Sequence, residues 1–162
     1  MKGKTNVMRM LDAAKIAYRA CEYEVDENNL AGTHIAEEIG LPYEKVYKTL
    51  VARGDKTGPV VFVIPCHLEI DLKKAAKETG NKRIEMIPVK DLLVLTGYIR
   101  GGCSPIGMKK KFPTFISHFV TEQEEITVSA GVRGIQLLLN KDALVHFVGA
   151  KCADITILLD NP

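Results

Sequence analysis

The segment at residues 96–107 constrains the fold more than any other part of the chain, because it cannot form a regular helix or strand. Its twelve residues include four glycines and one proline. Glycine is favoured where the backbone needs a positive φ angle or where a ligand approaches the main chain closely. Such a loop can direct several backbone N–H groups toward one point, which is typical of a site for a phosphate or a developing oxyanion. We call this segment the glycine loop; its composition alone is equally compatible with an ordinary surface turn.

Two further features favour a functional site. Lys48 stands in an apolar segment, where the period of a strand places it on one face with Leu50 and Ala52. A lysine on such a face either extends along apolar surface to solvent or points into a wet cavity that holds an anionic ligand, and the spacing leaves both interpretations open. The second feature is another glycine-framed basic segment, residues 129–134, which we call the arginine loop.

The composition fits a single soluble globular domain, and we expect one domain over residues 1–162. The chain has 162 residues, of which 46% are apolar and 26% are charged, and these values are usual for such domains. Its net charge of +2 is too small to indicate a nucleic-acid partner by itself. The basic residues nevertheless fall into two groups, the second on or directly after the glycine loop: Lys73, Lys74, Lys77, Lys82 and Arg83, and then Arg100 and Lys109 to Lys111.

The sequence carries no sign of a membrane segment, a secretion signal or a metal site. No apolar run reaches the roughly 18 residues that a membrane span requires, and residues 1–6 lack the apolar core of a signal peptide. The four cysteines are widely spaced, so we expect free thiols and a cytoplasmic location. Cys66 and His67 form the only adjacent pair of metal-ligand types, and no second pair stands at ligand spacing. The sequence therefore predicts no metal, no cofactor and no membrane partner.

The glycine loop does not match the known phosphate or hydrolase motifs. The P-loop spacing G-x-x-x-x-G begins at Gly102, but Met108 follows where that motif needs a lysine. The nucleophile elbow G-x-S-x-G also fails, because Ile106 stands in place of its second glycine. Cys103 or Ser104 would need a base within hydrogen-bond reach to act as a nucleophile, and the four histidines cannot be placed from sequence. A nucleoside triphosphatase and a serine hydrolase are therefore both poor fits.

Hydrophobic periodicity and turn residues predict mixed helices and strands without a regular βαβ repeat. Predicted helices cover residues 6–20, 33–40, 72–79, 89–95 and 142–148, with Thr33, Asp71 and Asp142 as N-caps and Gly40 and Gly80 as terminators. Predicted strands cover residues 21–25, 46–53, 59–64, 82–87, 114–117, 126–130, 135–140 and 154–158. Because neighbouring strands have short connections, we expect an α/β domain whose sheet is mixed and largely antiparallel.

Four segments carry a common pattern: residues 47–51 (Tyr-Lys-Thr-Leu-Val), residues 72–76 (Leu-Lys-Lys-Ala-Ala), the glycine loop, and residues 128–134 (Val-Ser-Ala-Gly-Val-Arg-Gly). Together they resemble the YbaK/EbsC family, the free-standing relatives of the editing domain inserted in bacterial prolyl-tRNA synthetases. The resemblance extends over residues 6–150 and keeps the family's order of motifs. It implies a single α/β domain in which helices flank a curved, mixed and largely antiparallel sheet, the YbaK/aminoacyl-tRNA synthetase-associated fold.

The resemblance implies that the chain hydrolyses the ester of a misacylated tRNA, chiefly cysteinyl-tRNA(Pro), with prolyl-tRNA synthetase as a candidate partner that selects the tRNA. In that branch of the family the substrate's own thiol attacks its ester, which accounts for the lack of a recognisable triad. Two alternatives stay open. One is a deacylase for alanyl-tRNA or another small aminoacyl-tRNA, and the other is a non-catalytic module that binds tRNA or a synthetase.

The resemblance also implies roles for individual residues. Catalytic roles fall to Lys48, Gly101 and Ser104, and substrate contacts to Tyr23, Thr49, Gly102, Cys103 and Gly107. We expect tRNA phosphates to be contacted by the basic residues Lys109, Lys110, Lys111 and Arg133. An aminoacyl ester is already activated, so its positioning plus backbone donors at the oxyanion suffice, each donor being worth on the order of 3 kcal/mol. Lys48 is then expected to bind the acceptor-end phosphate, the ribose or the ester oxygen, and the glycine-loop amides to hold the carbonyl.

The sequence departs from the family at two positions. Residues 30–32 (Leu-Ala-Gly) replace a segment that often carries an aromatic residue in relatives, and this difference bears on pocket size and so on substrate choice. Cys103 stands where relatives usually carry valine or isoleucine. This second difference argues against a thiol nucleophile at that position.

Overall fold

The helices and strands lie within residues 3–157, which the computed structural model describes. Five helices have the bounds α1 Asn6–Ala13, α2 Gly32–Ile39, α3 Leu72–Thr79, α4 Val89–Thr96 and α5 Lys141–Val148. Eight strands have the bounds β1 Tyr18–Glu22, β2 Tyr47–Gly54, β3 Gly58–Pro65, β4 Ile84–Met86, β5 Thr114–Ser117, β6 Glu125–Ser129, β7 Ile135–Asn140 and β8 Lys151–Ala153. Among these residues, no helix has the length and the apolar character that a membrane crossing needs.

The strands form two sheets. One has the order β1-β7-β6 and is antiparallel throughout. The other has the order β4-β2-β3-β5-β8, with antiparallel pairs among β4, β2 and β3 and parallel pairs from β3 through β5 to β8. An isolated parallel bridge between Val46 and Thr127 joins them. The α/β class and the mixed sheet predicted from the sequence are confirmed, and the division into two sheets follows from pairing that periodicity does not encode.

The main core lies between the two sheets and receives one face of β2. Tyr47 and Val51 enter this core, whose other members come chiefly from α1, β3, β6 and β7. Ala52 belongs instead to a second cluster, formed with Ala75 and Ala76 of α3, and Leu50 packs against it. The two faces of β2 therefore meet different parts of the protein, as its period of two requires. Lys48 lies on the face that is directed toward α3.

Local signals place α3 and β2 correctly. The Asp71 carboxylate accepts hydrogen bonds from the N–H groups of Lys73 and Lys74, and Gly80 ends α3 with φ of 75°, as predicted. The hairpin of β2 and β3 is also confirmed, with Lys48 opposite Ile64. Its connection is shorter than predicted, because the pairing extends to Gly54 and Gly58.

The first helix is shorter than predicted. It ends at Ala13 rather than at residue 20, because Lys15 adopts φ of 59° and turns the chain out of the helical path. Residues Tyr18–Glu22 then form β1 on β7, so the strand predicted at residues 21–25 begins earlier and ends at Glu22. The apolar residues near position 17 fit either period, and pairing with β7 decides between them.

Two predicted helix caps and the last strand were wrong. Ala31 rather than Thr33 is the N-cap of α2, without a side-chain hydrogen bond. Asn140 rather than Asp142 caps α5, where its side chain accepts from the N–H of Ala143. The last strand is Lys151–Ala153, because these residues pair with β5. Within the strand predicted at residues 154–158, residue 156 forms only an isolated bridge, and residue 158 lies outside the described residues. Residues 1–2, which belong to the segment without a signal-peptide core, also lie outside them.

Candidate active site

A cavity of about 420 Å³ opens where the two sheets separate. The bridge joins Val46, which directly precedes β2, to Thr127 of β6, and the cavity is lined by residues that follow on each segment. Its walls come from the start of α2, from β2, from the segment after β3, and from the two loops defined above. The lining residues are Leu30, Ala31, Gly32, Thr33, Ile35, Val46, Tyr47, Lys48, Thr49, Leu50, Cys66, His67, Glu69, Arg100, Gly101, Cys103, Ser129 and Gln136.

Lys48 supplies a cation to this cavity. Its side chain is half-buried, and within residues 3–157 its ammonium has neither a carboxylate partner nor a hydrogen-bond acceptor. Burial raises the pKa of the Cys66 thiol to about 11, and the positive charge of Lys48 acts against that rise. Lys48 and Cys66 both line the cavity, and the charge of Lys48 is available to a ligand.

The cavity side of β2 is an open strand edge. β4 pairs only with the second half of β2, from Ala52 to Gly54. The carbonyl of Val51 still accepts a hydrogen bond from the N–H of Ile87. Since alternate residues direct their backbone groups to the same edge, those of Thr49 face the unpaired edge. The Thr49 hydroxyl is also buried without a hydrogen-bond partner among the described residues.

Two residues of the glycine loop have backbone N–H groups that no protein acceptor engages within residues 3–157. Its turn is closed by a hydrogen bond of 3.0 Å from the N–H of Gly102 to the carbonyl of Ile99. Gly101 has φ of 87°, the value at the third position of a type II turn. Gly101 and Cys103 both line the cavity. Within the described part of the chain, their N–H groups donate to no protein acceptor.

Cys103 is a poor nucleophile in this setting. Burial raises the pKa of its thiol to about 12, so almost none of it is thiolate at neutral pH. The raised pKa of the Cys66 thiol likewise keeps that thiol protonated at neutral pH. Neither cysteine in the cavity is therefore prepared to attack an ester.

Four of the expected site residues do not line this cavity. Ser104 is fully buried, and its hydroxyl accepts from the N–H of Ile106 at 3.3 Å. Gly102 lies against the backbone of the arginine loop, and Gly107 lines a separate cavity of about 210 Å³. Tyr23 is half-buried and donates its N–H to the carbonyl of Gly134 at 2.9 Å. The structure therefore brings together Lys48, Thr49, Gly101 and Cys103 around one cavity, and the other four residues lie outside its lining.

The basic residues expected to bind tRNA are divided. Lys109, Lys110 and Lys111 are exposed, and the last two line the separate cavity of about 210 Å³. Arg133 is half-buried instead. Its Nε donates to the carbonyl of Arg100 at 2.9 Å, so part of its guanidinium is engaged within the protein.

Three polar residues of the cavity had no role in the sequence interpretation. Arg100 was visible only as a member of a basic group, yet it lines the cavity with Lys48. His67 lines it too, and its Nδ1 is buried without a partner among residues 3–157. Gln136 is only 4% exposed, and it accepts a hydrogen bond of 3.0 Å from Thr127. A glutamine inside the apolar strand Ile-Gln-Leu-Leu-Leu was the available signal for this residue.

A metal site is not formed by these groups. Among the described residues, no set of three or more histidine, cysteine, aspartate or glutamate side chains is arranged to hold an ion. The cavity instead combines two cationic side chains, Lys48 and Arg100, with a single carboxylate, Glu69. This charge balance suits an anionic ligand.

The comparisons with protein families and known proteins agree with one another. The model of the aminoacyl-tRNA editing domain matches residues 31–147. EbsC of Enterococcus faecalis, provisionally named a Cys-tRNA(Pro)/Cys-tRNA(Cys) deacylase, is 48% identical over 153 residues, which make up 94% of this chain and 93% of EbsC. YwhH of Bacillus subtilis, an uncharacterized protein, is 23% identical over 128 residues, which make up 79% of this chain and 81% of YwhH.

Two solved structures share the fold. A crystal structure described provisionally as a trans-editing enzyme for prolyl-tRNA synthetase has a TM-score of 0.79 at 20% identity, covering 96% of this chain and 100% of that one. The hypothetical protein APE2540 has a TM-score of 0.85 at 18% identity, covering 94% of this chain and 100% of that one. The matches confirm the resemblance drawn from the four sequence motifs.

Proposed function

The chain belongs to the aminoacyl-tRNA editing domain family, and we propose that the misacylated tRNA it deacylates is cysteinyl-tRNA(Pro). One observation carries the site assignment. A single cavity contains the unpaired ammonium of Lys48 together with Gly101 and Cys103, whose N–H groups have no acceptor within residues 3–157. A charged 3′ terminus and an ester carbonyl require this combination of a cation and oxyanion donors.

The reaction needs no nucleophile from the protein. The cysteine thiol of the substrate loses its proton, and its sulfur attacks the carbonyl carbon of the same residue, which closes a four-membered thiolactone. The C–O bond to the ribose then breaks, and the ribose oxygen takes up a proton. Water opens the thiolactone to free cysteine. The raised pKa values of the Cys66 and Cys103 thiols are consistent with this division of labour.

The residues of the cavity take distinct roles in this scheme. The N–H groups of Gly101 and Cys103 stabilise the negative charge that develops on the carbonyl oxygen. Lys48 neutralises the terminal phosphate or the departing ribose oxygen. Thr49, whose hydroxyl is buried without a partner among the described residues, contacts the aminoacyl group. Proline and alanine lack the thiol and are rejected chemically rather than by size, since shape distinguishes them by only about 1–3 kcal/mol per methylene.

Recognition of the rest of the tRNA is weaker and electrostatic. The exposed Lys109, Lys110 and Lys111 contact backbone phosphates, so binding falls as salt rises. Phosphate contacts of this kind do not distinguish one nucleotide sequence from another. Prolyl-tRNA synthetase, in the cytoplasm, supplies the choice of tRNA.

A panel of charged tRNAs tests the substrate. We expect release of cysteine from cysteinyl-tRNA(Pro), and no release of serine from seryl-tRNA(Pro), which replaces the thiol by a hydroxyl and changes little else. Hydrolysis of both at equal rates would contradict the thiol mechanism. Faster hydrolysis of alanyl-tRNA(Pro) than of cysteinyl-tRNA(Pro) would identify the protein as an alanyl-tRNA deacylase. Binding of tRNA without any hydrolysis, both with and without the synthetase, would identify it as a non-catalytic binding module.

A further inference from the structure

The arginine loop holds one peptide group of the glycine loop. Arg133 donates from Nε to the carbonyl oxygen of Arg100 at 2.9 Å. That carbonyl belongs to the peptide that also contains the N–H of Gly101. A peptide group is planar and trans, so its N–H points opposite to its C=O. Whatever fixes the direction of the Arg100 carbonyl therefore fixes the direction of the Gly101 N–H.

The peptide between Arg100 and Gly101 is the central peptide of the turn, and the central peptide of a β-turn has two standard orientations. Type I and type II turns differ by a flip of the central peptide, which changes φ of the third residue from about −90° to about +80°. Here that residue is Gly101, with φ of 87°. Glycine accepts both signs of φ at little cost. The intrinsic preference of the turn is therefore weak, and an external hydrogen bond decides between the two forms.

The packing of the two loops leaves little room for a side chain at Gly101 or Gly102. A Cβ on Gly101 would lie 3.2 Å from Nε of Arg133 and 3.3 Å from a methyl group of Leu30. A Cβ on Gly102 would lie 3.1 Å from the backbone of Val132. Side chains at either glycine would force the loops apart and break the bond to the Arg100 carbonyl.

The arginine loop is itself anchored at both ends. At its start, the Ser129 hydroxyl accepts from the N–H of Gly131 at 3.1 Å. At its end, the carbonyl of Gly134 accepts from the N–H of Tyr23 at 2.9 Å. The backbone on both sides of Arg133 is therefore held by hydrogen bonds, which restricts the position of its side chain.

We propose that Arg133 is a positioning residue that selects the type II form of the turn and so directs the Gly101 N–H toward the ester carbonyl. This proposal rests on the proposed deacylase function for its catalytic consequence. It differs from a tRNA-phosphate contact, which would use the charge of Arg133 and not the planar geometry of its Nε.

Two substitutions separate geometry from charge. Arg133→Lys keeps the positive charge but removes the planar Nε donor, and Arg133→Gln removes both. Lys77→Gln, an exposed residue of α3, serves as the control for loss of one positive charge. For each variant we would measure kcat, KM, the salt dependence of tRNA binding, and thermal stability.

The expected result is that Arg133→Lys lowers kcat by about 10- to 100-fold, toward the effect of losing one oxyanion donor, with KM and the salt slope unchanged. Wild-type kcat in Arg133→Lys would overturn the proposal. So would a loss confined to Arg133→Gln that appears as a raised KM and a salt slope reduced by about one, the signature of a phosphate contact.

A second measurement does not depend on the enzyme's substrate. Cys103 directly follows the turn and is partly buried. Its alkylation by iodoacetamide, followed on the Cys103 peptide by mass spectrometry, therefore reports how firmly the loop is held. We expect alkylation to be several-fold faster in Arg133→Lys than in wild type and in Lys77→Gln. Equal rates would contradict the role of Arg133 even if no substrate is hydrolysed, whereas a wild-type protein that deacylates nothing would refute only the proposed function.

Discussion

The two sides of the cavity are built in different ways. β2, which bears Lys48, is paired with β3 along its whole length. The glycine loop, which bears the backbone donors, has no strand partner among the described residues. It is held by separate hydrogen bonds, which include the turn bond from Gly102 to Ile99 and the side-chain bonds of Arg133 and Tyr98. A cation on a paired strand keeps its place without further support. The direction of an N–H group on a glycine-rich loop depends on each hydrogen bond that fixes its peptide plane. The loss of one such bond is therefore expected to lower the rate of hydrolysis.

The largest effect is expected on the strand side. Lys48→Ala should lower deacylation of cysteinyl-tRNA(Pro) by at least about 100-fold, because it removes the charge that faces the substrate. Unfolding free energy should change by less than about 0.5 kcal/mol, since the ammonium has no partner within residues 3–157. Single-turnover hydrolysis and thermal unfolding measure the two quantities. Lys77→Ala is the matched control, and full activity in Lys48→Ala would remove Lys48 from the mechanism.

The next effect is expected on the loop side, where activity and stability should fall together. Gly101→Ala places a side chain at φ of 87° and 3.2 Å from Arg133. We expect a stability loss of about 1–3 kcal/mol from the backbone strain and a lowered kcat from the displaced turn. Denaturant unfolding and steady-state kinetics would show both. Wild-type kcat in Gly101→Ala would show that catalysis does not depend on the exact conformation of this turn.

Gly40→Ala is a matched control for that experiment. Gly40 also has a positive φ, of 72°, with open space around its Cβ position. It ends α2 and does not line the cavity. Its substitution should therefore cost stability without a specific loss of kcat.

The smallest effect on activity is expected at Ser104. Its hydroxyl accepts from the N–H of Ile106 and is fully buried. Ser104→Ala should cost about 1 kcal/mol of stability, the usual value of one such hydrogen bond. Activity per folded molecule should stay close to wild type. A loss of hydrolysis of 100-fold or more without unfolding would support the catalytic role that the sequence resemblance implied for this serine.

Local sequence signals predicted the strand side well. Asp71 and Gly80 delimit α3 by their own side chain and backbone, and the period of two put Lys48 on the face of Leu50 and Ala52. The same signals failed at α1, where one residue with positive φ and the pairing of β1 with β7 overrode the helical spacing. They failed because strand pairing is a long-range choice.

The sequence identified the glycine loop as a candidate site, but it did not predict the directions of the side chains and N–H groups in that loop. Glycine content marked the loop, yet it did not show that Ser104 turns inward or that Gly102 uses its N–H to close a turn. The bond from Arg133 to Arg100 spans 33 positions, and no local pattern encodes it. Composition therefore predicts where a loop of donors lies, and only tertiary contacts decide which donors remain available.

The bridge between Val46 and Thr127 has a consequence for how substrate choice changes in evolution. The width of the opening beside it depends on the angle at which two separately braced layers meet. Replacing an apolar residue deep beneath that junction would tilt one layer against the other and resize the opening. Amino-acid preference could thus drift while every group that touches the substrate stays the same.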